Sequence, residues 1–213
     1  MTRDFSREAI AGLYAVTPDA TDTRSLLAQV NAALSGGARV VQYRNKSADA
    51  RVMMKQARAL KTLCARHGVP LIVNDDVDLA RAVEAAGVHV GAQDAALATA
   101  RGILGPSKII GVSCYNEIDR AREAARGGAD YVAFGSFFPS PVKPAAVRAP
   151  IELLSQAKRD LALPVVAIGG VTIENAAFLV EAGADALAVI SALFAAADVA
   201  IAARRFAALF ATR

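Results

Sequence analysis

Gly127-Gly128-Ala129-Asp130-Tyr131-Val132-Ala133-Phe134-Gly135 and Ala182-Gly183-Ala184-Asp185-Ala186-Leu187-Ala188-Val189-Ile190 follow one pattern. Each passes from small residues and glycine, through an aspartate, into a short apolar run. Glycine suits the left-handed residue that closes a helix, so each stretch predicts a passage from helix to strand. The likeness of the two copies is that of one β/α unit repeated. Working outward, Gly36-Gly37-Ala38 and Ala86-Gly87-Val88 read as further helix-to-strand passages of this kind. Eight short apolar runs emerge, at residues 13–17, 39–43, 71–74, 88–91, 109–113, 131–135, 165–169 and 186–190. They are rich in Val and Ile and mostly apolar on both faces, as buried parallel strands are. Alanine-rich stretches between them predict helices, among them 23–35, 48–66, 76–86, 117–126, 152–160 and 173–181.

Strands alternating with helices admit a closed barrel or an open doubly wound sheet. An open sheet normally carries a glycine-rich dinucleotide fingerprint after its first strand, but Thr17-Pro18-Asp19 stands there. Polar residues also collect after most strands rather than at one switch point. The expectation is therefore α/β, a single (β/α)8 TIM barrel over residues 1–213, near the small end of the range for that fold.

Composition narrows the function. The chain is 54% hydrophobic, yet no apolar run is long enough to cross a bilayer. Residues 1–8 show no signal-peptide core. The two cysteines, Cys64 and Cys114, fall in no metal-ligand spacing, which predicts a cytoplasmic protein. The net charge of +4 comes from dispersed Lys and Arg, and there is no Trp. This pattern fits small anionic ligands, with no nucleic acid and no membrane as partner; it leaves room for a homo-oligomer.

The chemistry gathers at the predicted carboxyl ends of the strands. Gln42, Arg44 and Lys46 alternate as the second strand ends, so all three can face the barrel mouth; a solvated strand exit is the alternative. Asp76 reads as a helix cap. Asp75 and Asp94 follow neighbouring strands, and strands about 5 Å apart let both carboxylates reach one Mg2+, which takes one or two carboxylates with phosphate oxygens. Asp94 can equally cap the helix that follows it. Gly169-Gly170 and Ile190-Ser191 end the seventh and eighth strands, the usual phosphate site of a barrel, where glycine lets backbone N–H groups approach a ligand; a plain turn explains the glycines but not their location. The sixth loop, 136–148, is long and proline-rich and can bring Lys143 over the mouth; a plain surface charge is the alternative. His67 reads as a helix-end residue and His89 as a packed, hydrogen-bonded core residue. No triad and no general base stand out.

Together these segments resemble the thiamine phosphate synthase family. The resemblance runs from Gly12-Leu13-Tyr14 to Ser191-Ala192 and is carried by Gln42-Tyr43-Arg44-Asn45-Lys46, Val73-Asn74-Asp75-Asp76, His89-Val90-Gly91-Ala92-Gln93-Asp94, Gly111-Val112-Ser113 and Ile168-Gly169-Gly170-Val171-Thr172. It implies a Mg2+-dependent transferase that joins hydroxymethylpyrimidine diphosphate to a thiazole phosphate, releasing pyrophosphate. Carried over by position, Gln42, Arg44, Lys46, Asn74, Ser113 and Lys143 hold the pyrimidine diphosphate. Arg44, Lys46, Ser113 and Lys143 also serve catalysis, and Asp75 and Asp94 bind Mg2+. Ser140, Pro141, Val142, Gly170, Ile190 and Ser191 hold the thiazole phosphate. The missing base is then explained, because a neutral thiazole nitrogen attacks and no proton must leave it.

Three other readings compete: a thiazole tautomerase-like paralogue, a non-catalytic sensor of thiamine phosphates, and a phosphosugar isomerase barrel. An isomerase needs a proton shuttle or paired acid and base, and neither is apparent; a sensor would bind both ligands but release no pyrophosphate. The sequence departs from the family at one informative place. Relatives carry Thr-x-Thr-Lys in the sixth loop, whereas this chain has Ser140-Pro141-Val142-Lys143. Valine brings no hydroxyl to a phosphate, and proline brings no N–H. Val142→Thr is therefore expected to lower the Michaelis constant for the thiazole phosphate; an unchanged or higher value in steady-state assays would refute this.

Overall fold

A computed structural model of the chain describes residues 5–91, 97–140 and 146–211. After a 3-10 turn at Arg7–Ala9, strands and helices alternate. The strands are β1 (Gly12–Val16), β2 (Val40–Tyr43), β3 (Leu71–Asn74), β4 (Gly87–Val90), β5 (Ile109–Tyr115), β6 (Tyr131–Phe134), β7 (Val165–Ile168) and β8 (Ala186–Val189). The helices are α1 (Thr23–Ser35), α2 (Ala50–His67), α3 (Val77–Ala82), α4 (Leu97–Leu104), α5 (Ile118–Arg126), α6 (Glu152–Asp160), α7 (Ala176–Glu181), α8 (Ser191–Phe194) and α9 (Val199–Ala208). Each strand pairs in parallel with the next, and β8 returns to β1, closing the expected (β/α)8 barrel.

The period of two along each strand divides the apolar residues into two cores. Tyr14, Val40, Ile72, Tyr131, Val166 and Ala186 face the barrel axis. Leu13, Val41, Val73, Val132 and Leu187 face outward and pack on helix residues such as Leu26, Leu60, Leu154 and Phe206. Strands covered on both sides carry continuous apolar runs, which is why the runs were visible in the sequence. The inner core mixes large and small residues. A Cβ on Gly111 would sit 2.0 Å from the Tyr131 ring, so glycine here makes room for that ring.

The repeated aspartates of the two opening segments perform one structural task. Asp130 N–H donates to the Ile110 carbonyl, while Ile110 N–H donates to the Asp130 carboxylate (2.8 and 2.7 Å). Asp185 and Val165 form the same reciprocal pair, at 2.8 Å in both directions. A cation from a preceding helix holds each carboxylate: Arg101 on Asp130, Lys158 on Asp185. The motif thus clasps neighbouring strands at the amino-terminal end of the barrel, away from the predicted site.

Several predicted boundaries shift for local reasons. The helix expected over 76–86 ends at Ala82, because Glu84 takes the left-handed position (φ 52°). Gly87 therefore closes no helix; it lies in β4, where a Cβ would meet the Ile109 carbonyl oxygen at 1.9 Å. In the paired glycines the second member, Gly37 or Gly128, is left-handed, while Gly36 and Gly127 remain right-handed. The helix expected from residue 173 starts at Ala176, after a turn in which Asn175 Oδ1 accepts from Thr172 N–H. Asp76 caps α3 as expected, accepting from Leu79 N–H at 2.8 Å.

Val165 is fully buried, so Asp185→Ala leaves a buried N–H without its acceptor, a cost of about 1–3 kcal/mol. A fall in Tm of roughly 2–4 °C per kcal/mol is expected at this size. Asp185→Asn keeps an acceptor and gives up only a part-exposed ion pair, worth little; it should cost clearly less. Equal losses in calorimetric melts would contradict the clasp.

Candidate active site

At the carboxyl ends of the strands lies a cavity of about 370 Å3. Its floor is a chain of polar side chains from five strands. Gln42 Nε2 donates to Tyr14 OH (2.9 Å), and Tyr14 OH meets Tyr131 OH (2.8 Å). Tyr131 OH meets His89 Nδ1 (2.9 Å), and His89 Nε2 meets Ser113 Oγ (2.8 Å). Each link satisfies a group whose unpaired burial would cost about 1–3 kcal/mol, so the five side chains fix one another. Burial pushes the phenols of Tyr14 and Tyr131 upward, keeping both protonated at neutral pH.

Gln42, Arg44, Asn74, Ser113, Ser140 and Ile190, which the resemblance assigns to substrate binding, all line this cavity. Arg44 is held from below. Its backbone N–H donates to Thr17 Oγ1, whose hydroxyl donates back to the Arg44 carbonyl (2.9 and 2.8 Å). Its guanidinium donates to Asp19 Oδ1 at 2.9 Å, and the side chain is only 15% exposed. A guanidinium pinned in this way keeps donors for a phosphate without much rotamer freedom left to lose. Asp19 and Thr17 served in the sequence only to argue against a dinucleotide fingerprint; the β1–β2 register (Val16 opposite Gln42) brings them beneath Arg44.

Lys46 departs from the expectation that three alternating side chains enter the mouth together. Strand β2 ends at Tyr43, so the alternation does not persist to residue 46. Lys46 lies in an adjoining cleft of about 320 Å3 with Asn74 and Asp75. Its ammonium is 3.3 Å from Asp75 Oδ2, which also accepts from Asn74 Nδ2 at 2.6 Å. Among the described residues, Asp75 is one of three non-glycine residues with positive φ (64°), and its N–H donates to the His89 carbonyl at 2.8 Å. Its hard oxygen donors in the adjoining cleft suit Mg2+. Among the described residues no group of three His, Cys, Asp or Glu side chains forms a cage; Mg2+ shared with a diphosphate draws on fewer protein ligands. Asp94, Pro141, Val142 and Lys143 lie outside the described residues.

A second, smaller cavity of about 120 Å3 adjoins the first and is lined by Ser140, Gly170, Ile190 and Ser191. It sits between β7, β8 and the start of α8, the position of the phosphate site in this fold. Gly169 and Gly170 have φ of 99° and 65°, and a Cβ on either would strike Ser136 Oγ at 2.2 Å or the Pro139 carbonyl at 2.3 Å. The missing Cβ atoms thus admit the sixth loop to the end of β7, a role beyond the ligand approach expected from sequence. Residues 146–149 of that loop return to Ser136, where Ser136 N–H donates to Val147 and Ala149 N–H to Ser136. Ala146 and Val147 thereby cover part of the main cavity.

His89, Tyr14 and Tyr131 are the residues that sequence reasoning undervalued. His89 is hydrogen-bonded and buried, as expected, but it also lines the cavity. The signal was available in strand parity: Gln42, Asn74, His89 and Ser113 share inward phase once the parallel register is known. Cys114 is buried and its thiol is pushed up to about 12 by burial, consistent with an inert core residue. His67 ends α2 and meets Asn31 at 3.0 Å.

A closed parallel barrel with an anchored arginine, an edge carboxylate and a glycine-lined recess beyond β7 and β8 is a phosphate-handling (β/α)8 enzyme. Residues 13–193 match the family model described as thiamine monophosphate synthase. The chain is 58% identical over 200 residues to a thiamine-phosphate synthase of Thiobacillus denitrificans, covering 94% of this chain and 95% of the relative. It is 57% identical over 204 residues to one of an Azoarcus species, covering 96% and 99%. A solved thiamine phosphate pyrophosphorylase of Pyrococcus furiosus superposes with a TM-score of 0.84 at 36% identity, covering 95% of this chain and 96% of that one. The chain belongs to the thiamine monophosphate synthase family.

Burial also sets an alkaline limit. The thiols of Cys64 and Cys114 move from 9.0 to about 12, and the Tyr43 phenol from 10.0 to about 12. Tyr14 and Tyr131 move up as well. The unfolded chain loses these protons first, so stability is fully present below about pH 9 and declines as pH rises toward 12. Urea midpoints measured from pH 7 to 11 should hold to about pH 9 and then fall; a flat profile would contradict this.

Proposed function

We propose that this protein couples 4-amino-2-methyl-5-hydroxymethylpyrimidine diphosphate with hydroxyethylthiazole phosphate, yielding thiamine phosphate and pyrophosphate. The observation that carries the reading is that Gln42, Arg44, Asn74 and Ser113, assigned to one diphosphate substrate from separate motifs, line a single cavity. Family membership over most of the chain supports the same reaction.

The pyrimidinyl methylene–oxygen bond breaks, and pyrophosphate departs with the electron pair. The thiazole nitrogen lone pair then forms the new carbon–nitrogen bond. That nitrogen carries no proton, so the reaction needs no general base. The protein's task is electrostatic: fixed cations must meet the negative charge that develops on the leaving group. Arg44, pinned by Asp19 and Thr17, is the main described cation lining the cavity, with Lys46 in the adjoining cleft. Lys143, in the sixth loop, is a further cation for the same role. Asp75, with Asp94, would hold Mg2+, which supplies charge neutralisation to the diphosphate when bound. Ser113 Oγ, oriented by His89, offers a hydroxyl to the same substrate. On the other side, Ser140, Gly170, Ile190 and Ser191, with Pro141 and Val142, would retain the thiazole phosphate and align its nitrogen.

The substrates are thus small phosphorylated molecules. Among the described residues, no helix is long and apolar enough to cross a membrane.

The test mixes both phosphorylated precursors with Mg2+ and the protein, then detects thiamine phosphate by oxidation to fluorescent thiochrome. The wild-type chain should form product, releasing one pyrophosphate per thiamine phosphate. Arg44→Met removes a positioned charge and should lower kcat by about a hundredfold or more, with Asp75→Ala and Lys46→Ala also severely impaired. A sensor would bind both precursors and release no pyrophosphate, and full activity in all three variants would overturn the site assignment.

A further inference from the structure

The turn from β5 into α5 borders the cavity with Tyr115, Asn116 and Glu117, residues to which the sequence motifs gave no role. Glu117 N–H closes the turn on the Cys114 carbonyl at 2.9 Å. Tyr115, its first central residue, has φ 52°, a conformation that favours glycine or asparagine over a bulky aromatic residue. A register shift between Ser113 and Tyr115 and a 2.9 Å bond from Gly135 N–H to the Tyr115 carbonyl hold the backbone there. Core burial does not compensate, since the residue remains 38% exposed.

A second unfavourable placement coincides with the first. The Arg120 guanidinium carbon lies 5.4 Å from the centroid of the Tyr115 ring. Arg120 Nε is the one buried side-chain nitrogen or oxygen among the described residues without a hydrogen bond, although Glu117 stands 3.5 Å from it as an ion pair. Strained backbone held by its surroundings gathers where a ligand uses the geometry. Here the strained residue is an aromatic ring at a cavity mouth, with an arginine braced over it.

We propose that Tyr115 is a specificity-determining residue, an aromatic wall against which the pyrimidine diphosphate is held. The inference rests on the coupling reaction proposed above. Tyr115 follows Ser113 by two residues and stands on the side of the cavity lined by Asn74, His89 and Ser113, whereas the glycine-lined recess lies beyond β7 and β8. A flat heteroaromatic ring matches a tyrosine face, and Arg120 adds positive charge near the mouth for a polyanionic substrate.

The experiment varies each precursor in turn for Tyr115→Asn, Tyr115→Phe and Arg120→Met, with Tm measured for all. Asparagine tolerates left-handed backbone, so Tyr115→Asn removes the ring and keeps the turn. It should raise KM for the pyrimidine diphosphate about three- to tenfold, with KM for the thiazole phosphate and Tm unmoved. Tyr115→Phe should restore most of that affinity, and Arg120→Met, on the part-exposed face of α5, should shift the same constant in the same direction. An unmoved pyrimidine KM in Tyr115→Asn, or equal rises for both substrates, overturns the proposal; if that variant does not fold, an unmoved KM in Arg120→Met does so. A wild-type chain that forms no thiamine phosphate instead overturns the coupling reaction on which the inference rests.

Discussion

Closing eight parallel strands on themselves leaves an interior that side chains must fill, and in this protein the upper part of that interior is polar. Gln42, Tyr14, Tyr131, His89 and Ser113 meet across the barrel in one hydrogen-bonded chain drawn from five strands. Every link depends on the parallel register, because a slip of one residue would turn each side chain to the opposite face. Gly111 contributes by leaving space for the Tyr131 ring. The chain therefore acts as both the last layer of the core and the floor of the cavity. A fully paired polar layer rigidifies what stands on it.

The charged groups stand on that floor in unequal ways. Arg44 is nearly enclosed and tied to Asp19 and Thr17, so its position is set before any ligand arrives. Lys46 is more exposed and shares Asp75 with Asn74. A pre-positioned cation loses little freedom when a leaving group develops charge, which suits a reaction whose difficulty is departure of an anion. Backbone strain follows the same distribution: among the described residues, Asp75 and Tyr115 are two of the three non-glycine residues with positive φ, and each borders one of the two adjoining clefts. At the far end of the barrel the reciprocal Asp130–Ile110 and Asp185–Val165 bonds keep the strands aligned without taking part in the chemistry.

Much of this was legible in the chain itself. The eight apolar runs coincide with the eight strands to within a residue or two, because strands buried on both faces need apolar residues throughout. Residues 23–35 and 152–160 match α1 and α6 at both ends. The places that shifted are those where a non-glycine residue took an unusual conformation, as Glu84 did, or where a side chain capped a turn, as Asn175 did. Gln42 and Arg44 drew notice by their alternation at the end of an apolar strand, whereas Asn74 and Ser113 were singled out only through the contiguous family motifs that contain them.

Sequence alone determined the alternation of strand and helix, the barrel, the family and the set of polar strand ends, since each is written in local periodicity or in contiguous motifs. Tertiary structure decided which of those residues share a cavity. It separated Lys46 from the main pocket, brought Asp19 under Arg44 and made His89 part of the cavity floor. It also placed a strained Tyr115 at the mouth beside Arg120. These relations join residues from different strands, and only the barrel's closure and register set the distances between them.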